Sequence, residues 1–381
     1  MDFSFTEEQE MLRKTARDFL GRECPSPKKM VREMAGDEKG YLPELWQKMA
    51  QLGWLGLAFP SRYGGGDGSF LDLVVLLEEM GRSLLPGPFF ATVVLGGLYV
   101  LEAGSEQQKQ DLLPKIAGGR AILTLALSEP GVEYALDSIT LKAAPGQGGF
   151  VLNGTKLFVP YAHVADYLLC VARTEGQGEA EEGLTTLIVN ARNQGIACSQ
   201  LRTMGGDHQC EVVFEDVIVP GEGVLGKVNK ARPDVEKALQ KAAVALCAEM
   251  NGGAQKVLEM TVDYAKQRVQ FGRPIGSMQA LQHHCANMRV SLEASRSITY
   301  EAAWRLSEGL SCDLEASMAK SVASECYTQV TQLAMLIHGG VGFMEDHDLP
   351  LYYRRAKVAE ATFGDADSHR ENIASRLLDW P

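Results

Sequence analysis

The apolar period of this chain changes twice, and the order of those periods narrows its fold more than any other feature. Up to about residue 120, apolar residues recur three and four apart, as in Met11, Leu12, Ala16, Phe19 and Leu20 of a first predicted helix. Thr6, followed by Glu7 and Glu8, has the chemistry of its N-cap. Tyr63-Gly-Gly-Gly-Asp-Gly68 is a loop from which Ser69 or Phe70 opens the next helix, and Pro86-Gly-Pro88 breaks a pattern that Phe89 to Ala103 resumes. From about 121 to 225 the helical spacing gives way to short β-prone runs: Leu123–Leu127, Ile139–Ala143, Phe150–Leu152, Tyr167–Ala172, Leu184–Val189 and Val212–Val219. Asn153-Gly154 reads as a hairpin turn, because both residues tolerate positive φ, and Glu175 to Gly183 as a surface loop. Helical spacing returns after Arg232-Pro233 in Val235, Leu239, Ala242, Leu246 and Met250, then in Gln279–Leu306, Leu314–Ile337 and from Glu345 onward. Gly252-Gly253 inside the first of these helices predicts close backbone packing.

The expected class is therefore α+β: a helical domain over 1–120, a central β domain over 121–228, closed as a barrel or packed as a sandwich, and a helical bundle over 229–381. This order is not βαβ alternation, and no G-x-G-x-x-G follows a strand, which argues against a nicotinamide-binding Rossmann enzyme.

A formal charge of −12 argues against nucleic acid or an anionic membrane as the main partner. The acidic start lacks an apolar signal core, so a cytoplasmic location is expected. The apolar run Leu71–Leu77 is too short to span a bilayer. Eight cysteines form no C-x-x-C pair and read as reduced and structural. His283 and His284 point about 100° apart on a helix, so no metal site is expected.

Tyr264-Ala-Lys-Gln-Arg-Val-Gln-Phe-Gly-Arg-Pro-Ile275 carries the most chemistry. It is expected to place Arg268 and Gln270 in the last turn of a helix that Gly272 and Pro274 stop, with Phe271 beside them. A guanidinium next to an aromatic ring suits a large anion with flat rings. The glycines of 64–68 lack a P-loop lysine and read as a flexible turn.

This string resembles the signature with which acyl-CoA dehydrogenases grip the FAD of a neighbouring subunit. Pro60-Ser-Arg-Tyr-Gly-Gly65, Leu77-Glu-Glu-Met-Gly-Arg82, Ser128-Glu-Pro-Gly131, Val213-Phe-Glu-Asp-Val-Ile-Val-Pro220 and His338-Gly-Gly-Val-Gly-Phe343 are similar to phrases of the same family, in the same order. The resemblance covers essentially the whole chain. It implies FAD as cofactor, contacted by Leu125, Leu127, Ser128, Phe158, Pro160, Arg268, Gln270, Phe271, His338, Gly339 and Gly340. It also implies oxidation of an acyl-CoA thioester between Cα and Cβ, an electron-transferring flavoprotein as acceptor, and a tetramer, either of one chain or with a sibling chain.

The sequence departs from the family at the base. Aligned through Arg355-Ala-Lys357, the position of the usual catalytic glutamate holds Phe363, and the family's other location for it aligns near Ala242. Two carboxylates stand near those places: Asp365, two residues past the first, and Glu249, two helical turns past the second. Asp365 also has the chemistry of a helix cap, and Glu249 that of an internal salt bridge. Pro160 removes an N–H that the family's threonine offers to the flavin, and the serine and glycine that help hold the CoA arm are absent from Ser128-Glu-Pro-Gly-Val-Glu-Tyr-Ala-Leu-Asp137. The readings left open are a dehydrogenase for a branched, cyclic or otherwise bulky acyl group, a catalytically silent subunit sharing an FAD site with a sibling, and a related flavin monooxygenase.

Overall fold

A computed structural model describes residues 5–131, 136–146, 148–174 and 183–378. Most of the expected Glu175–Gly183 loop lies outside them. The chain opens with helices α1 (Glu7–Glu23), α2 (Pro27–Gly36), α3 (Pro43–Gln51), α4 (Phe70–Arg82), α5 (Leu98–Ala103) and α6 (Glu106–Ala117), with π-type turns over Phe90–Gly97. Strands β1 (Leu123–Ala126), β2 (Lys142–Gly146), β3 (Gly149–Pro160), β4 (Tyr167–Arg173), β5 (Leu184–Asn190), β6 (Ile196–Leu201), β7 (Gln209–Pro220) and β8 (Val224–Leu225) follow. Helix α7 (Arg232–Gln267) leads to a two-residue ribbon, β9 (Val269–Gln270) and β10 (Arg273–Pro274). Helices α8 (Gln279–Ser307), α9 (Asp313–His338), α10 (Leu349–Ala361) and α11 (Ala366–Leu378) complete the fold.

The helix starts are written in the sequence as capping boxes. Thr6 accepts from Gln9 N while Gln9 returns a bond to Thr6 N, and Ser69–Asp72 and Ser105–Gln108 do the same for α4 and α6.

Two compact units emerge, and the first third of the chain contributes to both. One comprises residues up to Glu33, Ser69–Leu85 and everything from Ala243 on; the other comprises Met34–Gly68 and Pro86–Ala242. In the first unit α9 is the central helix, packed by α8, α10 and α11. Helix α4 is apolar on almost every face, with Leu73 to Leu77 fully buried. Its two buried acids are paired: Glu78 accepts from Arg296 at 2.8 Å and Tyr300 at 2.5 Å, and Glu79 from Arg17 at 2.6 Å.

The second unit is built on one sheet of eight strands in the order β6-β7-β3-β2-β4-β5-β8, with β1 pairing β4 in parallel. Here Asn153-Gly154 does not turn a hairpin. It is a bulge inside β3, where Asn153 exchanges side-chain bonds with Asp216 of β7. The turn lies instead between β2 and β3, which pair Gly146 with Gly149. The run from Ile139 becomes a strand only at Lys142, and β6, polar and exposed over Ala197–Gln200, carried no apolar alternation to reveal it. Among the described residues no helix is long and apolar enough to cross a membrane.

Candidate active site

In the first unit, α4, α7, α9 and α10 enclose a small cleft of about 20 Å³, lined by Met80, Leu84, Leu246, Met250, Glu249 and Tyr327 among others. Small residues let the helices close on it. A Cβ at Gly81 would lie 2.1 Å from the Glu249 carbonyl oxygen, and one at Gly252 would lie 1.8 Å from the Glu78 carbonyl oxygen. The glycine pair expected to mark close packing does so.

Glu249 is half-buried, its carboxylate reaching the cleft while protein surrounds its remaining sides. Burial pushes its carboxyl up to about 7, against the opposing pull of the Arg355 charge. Tyr327 faces the same cleft with a fully buried hydroxyl that makes no hydrogen bond. Burial holds that hydroxyl protonated, so it stands as a donor with nothing to give to. Tyr327 did not stand out in the sequence, where Gly253, which abuts its ring, was the signal, and Arg355 served there only to align the Phe363 segment.

Asp365 occupies a different environment. Exposed at the head of α11, it accepts from Ser368 N at 2.8 Å and Ser368 Oγ at 2.7 Å, and these bonds hold its carboxyl below the usual range. The turn before it is built from within the fold. Phe363 and Gly364 both have positive φ, 59° and 90°. Buried Lys320 donates to Gly364 O at 2.8 Å and Glu360 O at 3.1 Å, and His369 Nε2 donates to Phe363 O at 2.9 Å.

The expected FAD contacts fall into two groups, one in each unit. In the second unit, Leu157 N donates to Ser128 O at 2.8 Å, which joins the Leu125–Ser128 stretch to the Phe158–Pro160 bend. Phe158 has φ 52° and is 59% exposed, a ring offered outward by a strained backbone, whereas Leu125 and Leu127 are buried. Lys156, fully buried, donates to Leu127 O at 2.8 Å and Glu129 at 2.7 Å behind them. In the first unit, α7 stops at Gln267, earlier than expected. Gln270 lies in β9 instead of a helical turn, because Phe271 and Gly272, at φ 53° and 76°, form a tight turn that returns the chain through β10. Arg268 stays at the helix end, exposed, with its N–H bonded to Tyr264 O.

Tyr264 then ties this end to the glycine turn. Its ring stacks on His338 with centroids 4.4 Å apart. His338 Nδ1 donates to Ala334 O at 2.8 Å, so this ring fastens two helix ends together and is not itself presented outward. Gly339, at φ 61°, and Gly340 have only open space where a Cβ would stand. Open glycine backbone, an exposed guanidinium and the 90% exposed Phe271 ring fit a flavin dinucleotide: N–H groups and charge for the pyrophosphate, a flat surface for a ring. Bound there, FAD supplies the hydride acceptor.

Comparison with known proteins agrees with this chemistry. Models of the acyl-CoA dehydrogenase N-terminal, middle and C-terminal domains match residues 6–120, 124–217 and 233–378. The chain is 31% identical over 380 residues to the caffeyl-CoA reductase–Etf complex subunit CarC of Acetobacterium woodii, covering 98% of this chain and 99% of that one. Its structure resembles butyryl-CoA dehydrogenase from Megasphaera elsdenii with a TM-score of 0.93 at 29% identity, covering 99% of this chain and 100% of the other. It resembles a chain of the ChsE4–ChsE5 complex from Mycobacterium tuberculosis with a TM-score of 0.90 at 29% identity, covering 100% of both. With all three domains matched in order, the chain belongs to the acyl-CoA dehydrogenase family of FAD-dependent oxidoreductases.

Proposed function

We propose that the chain dehydrogenates a branched, cyclic or otherwise bulky acyl-CoA with Glu249 as the base, and passes the electrons to an electron-transferring flavoprotein. One observation carries the assignment of the base: Glu249 is the carboxylate that an apolar cleft holds near 7, where it both takes a proton readily and is substantially ionised at neutral pH. Asp365 is committed to its cap and held too acidic to compete for the Cα proton. Arg355 keeps Glu249 from rising further, and the Tyr327 hydroxyl offers a hydrogen bond to a polar atom entering the cleft. The Phe363 N–H, presented by the turn that Lys320 and His369 hold, is the donor for the thioester oxygen, where charge develops. A base two turns from the family's helix position favours an acyl group shaped differently from a straight chain. The acceptor is supported by the relative in an Etf complex.

Anaerobic mixing of the FAD-loaded enzyme with a panel of straight, branched and cyclic acyl-CoAs tests this reading. Flavin bleaching is expected with the bulky members. Glu249→Gln should slow it by about 10²–10⁴-fold with FAD content unchanged, and Asp365→Asn should not. Bleaching at wild-type rate in Glu249→Gln removes the assignment.

A second reading is favoured by Phe363 in the usual base position and by the likeness to a chain of a two-component complex. In it the chain is the silent partner of a heteromer and shares an FAD site with a catalytic sibling. Purification from the native source with a sibling chain, and bleaching only in its presence, would select this reading.

A further inference from the structure

Behind the Phe158–Pro160 bend lies a cluster of two thiols and two imidazoles that the dehydrogenation does not use. Cys210 of β7 pairs in register with Val159 of β3. Cys198 of β6 pairs with Val212, so Cys198 and Cys210 project from the same face as diagonal neighbours whose thiols interact. Cys198 is exposed and Cys210 fully buried.

His163 completes the arrangement. Its Nε2 lies 3.2 Å from the Lys39 carbonyl oxygen, which only accepts, so Nε2 carries the hydrogen. Nδ1 therefore presents a lone pair to Cys210 Sγ at 3.5 Å. His208 stacks on His163 with centroids 5.1 Å apart and bonds Met34 O at 2.7 Å, which fixes the imidazole in place. The Cys198 bond, aided by His163 and opposed by burial, holds the Cys210 thiol well below its ordinary value. The same interaction pushes the Cys198 thiol up, and elsewhere burial pushes Cys24, Cys170, Cys247 and Cys312 up to about 12.

We propose that Cys198 and Cys210 form a reversible oxidation site for a hydroperoxide, closing to a disulfide with His163 as the base. Exposed Cys198 attacks a peroxide oxygen; the O–O bond breaks, the Cys198 proton goes to the departing hydroxide, and a sulfenic acid and water are left. Cys210 gives its proton to His163 Nδ1 and attacks the Cys198 sulfur. The S–S bond forms, the S–O bond breaks, and hydroxide leaves as water with that proton. The sum is two thiols and one hydrogen peroxide to one disulfide and two waters. Closure ties β6 to β7 beside the bend that carries Phe158 and Pro160. The site is independent of the role given to Glu249.

The test treats the FAD-loaded enzyme with about one equivalent of hydrogen peroxide, blocks free thiols with N-ethylmaleimide after unfolding, and maps the peptides. The expected result is a Cys198–Cys210 linked peptide forming before any other cysteine is modified, and disappearing with dithiothreitol. His163→Asn should slow its formation about tenfold, the effect of losing the base that deprotonates Cys210. In Cys198→Ser, a substitution at an exposed position, Cys210 should stay reduced at a dose that closes the wild-type pair. The proposal is overturned if Cys198 proceeds to sulfinic acid while Cys210 is recovered as a free thiol. It is equally overturned if Cys210 oxidises as fast in Cys198→Ser as in the wild type.

Discussion

Gly253 and the Tyr327 hydroxyl share one space: a Cβ at 253 would lie 2.4 Å from that oxygen, so the glycine in α7 is what admits the tyrosine to the cleft. Alanine is the better helix former by about 1 kcal/mol, yet here the clash should win. Gly253→Ala is expected to destabilise the protein by roughly 1–3 kcal/mol, the usual cost of overpacking. Gly21, inside α1, has nothing within 4 Å of the same added atom, so Gly21→Ala should stabilise by about 0.5–1 kcal/mol. Urea denaturation of the two variants reads opposite signs if packing, and not propensity, explains Gly253.

The raised carboxyl of Glu249 links pH to stability and to rate in opposite directions. Its value is about 7 in the folded chain against 4.5 for the free group, so between these the folded state holds a proton that the unfolded state has lost. The stability this group contributes is intact below about 4.5 and is lost as pH rises through about 7. A base must be unprotonated, so flavin reduction should rise with pH through that same value. Arg355→Met removes the charge that pulls the carboxyl down, and the rising limb should move to higher pH. Stopped-flow flavin bleaching from pH 5.5 to 9 checks both; a limb unmoved in Arg355→Met would mean that another group titrates.

Features with local causes were legible in the sequence. The three-part order, the cap at Thr6, a helix opening at Ser69 or Phe70, and the close packing at Gly252-Gly253 all follow from residues near one another in the chain. What could not be read depends on partners far away. Asn153-Gly154 has the conformational freedom of a turn, and only the opposing strand, through Asp216, makes it a bulge. By alignment Asp365, two residues from the family's usual position, stood ahead of Glu249, seven residues from the other. Their difference in the fold arises from Ser368 satisfying one, while Met80 of α4, Leu84 just past its end and Tyr327 of α9 help to enclose the other. Tyr327 carries no motif and Arg355 only an alignment anchor, and the enclosing helices turn them into a site.

Glu129 and Lys156 form a buried pair under the stretch expected to line the flavin, with their side chains 2% and 0% exposed. Burial would raise the Glu129 carboxyl, but the Lys156 charge and bonds from Thr140 and Leu141 bring it below its ordinary value. Glu129→Gln leaves an ammonium without its counter-charge in the interior and should cost about 3–5 kcal/mol. Because the same ammonium bonds Leu127 O, the variant should also lose FAD more readily. Urea midpoints and the flavin-to-protein absorbance ratio after dialysis report the two effects. A variant that unfolds earlier but keeps its flavin would separate the pair from cofactor binding.

Lys320 has no carboxylate bonded to it, yet it is buried to the last atom, donating to Ser324 Oγ, Glu360 O and Gly364 O. Burial pulls its ammonium down to about 8, with Cys247, Asp365 and Glu360 opposing. The bonds to Glu360 O and Gly364 O join the end of α10 to the Phe363 turn, whose left-handed backbone has to be held against its own strain, while the third ties the ammonium to Ser324 of α9. Lys320→Met keeps much of the apolar stem and removes all three donors, leaving buried acceptors unsatisfied at about 1–3 kcal/mol each before relaxation. The expected outcome is a large fall in thermal stability. Amide exchange should also become faster, first over Glu360–Ala366 and only later in α9. If α9 and the turn lose protection together, Lys320 supports the helix packing as a whole and the turn has some other anchor.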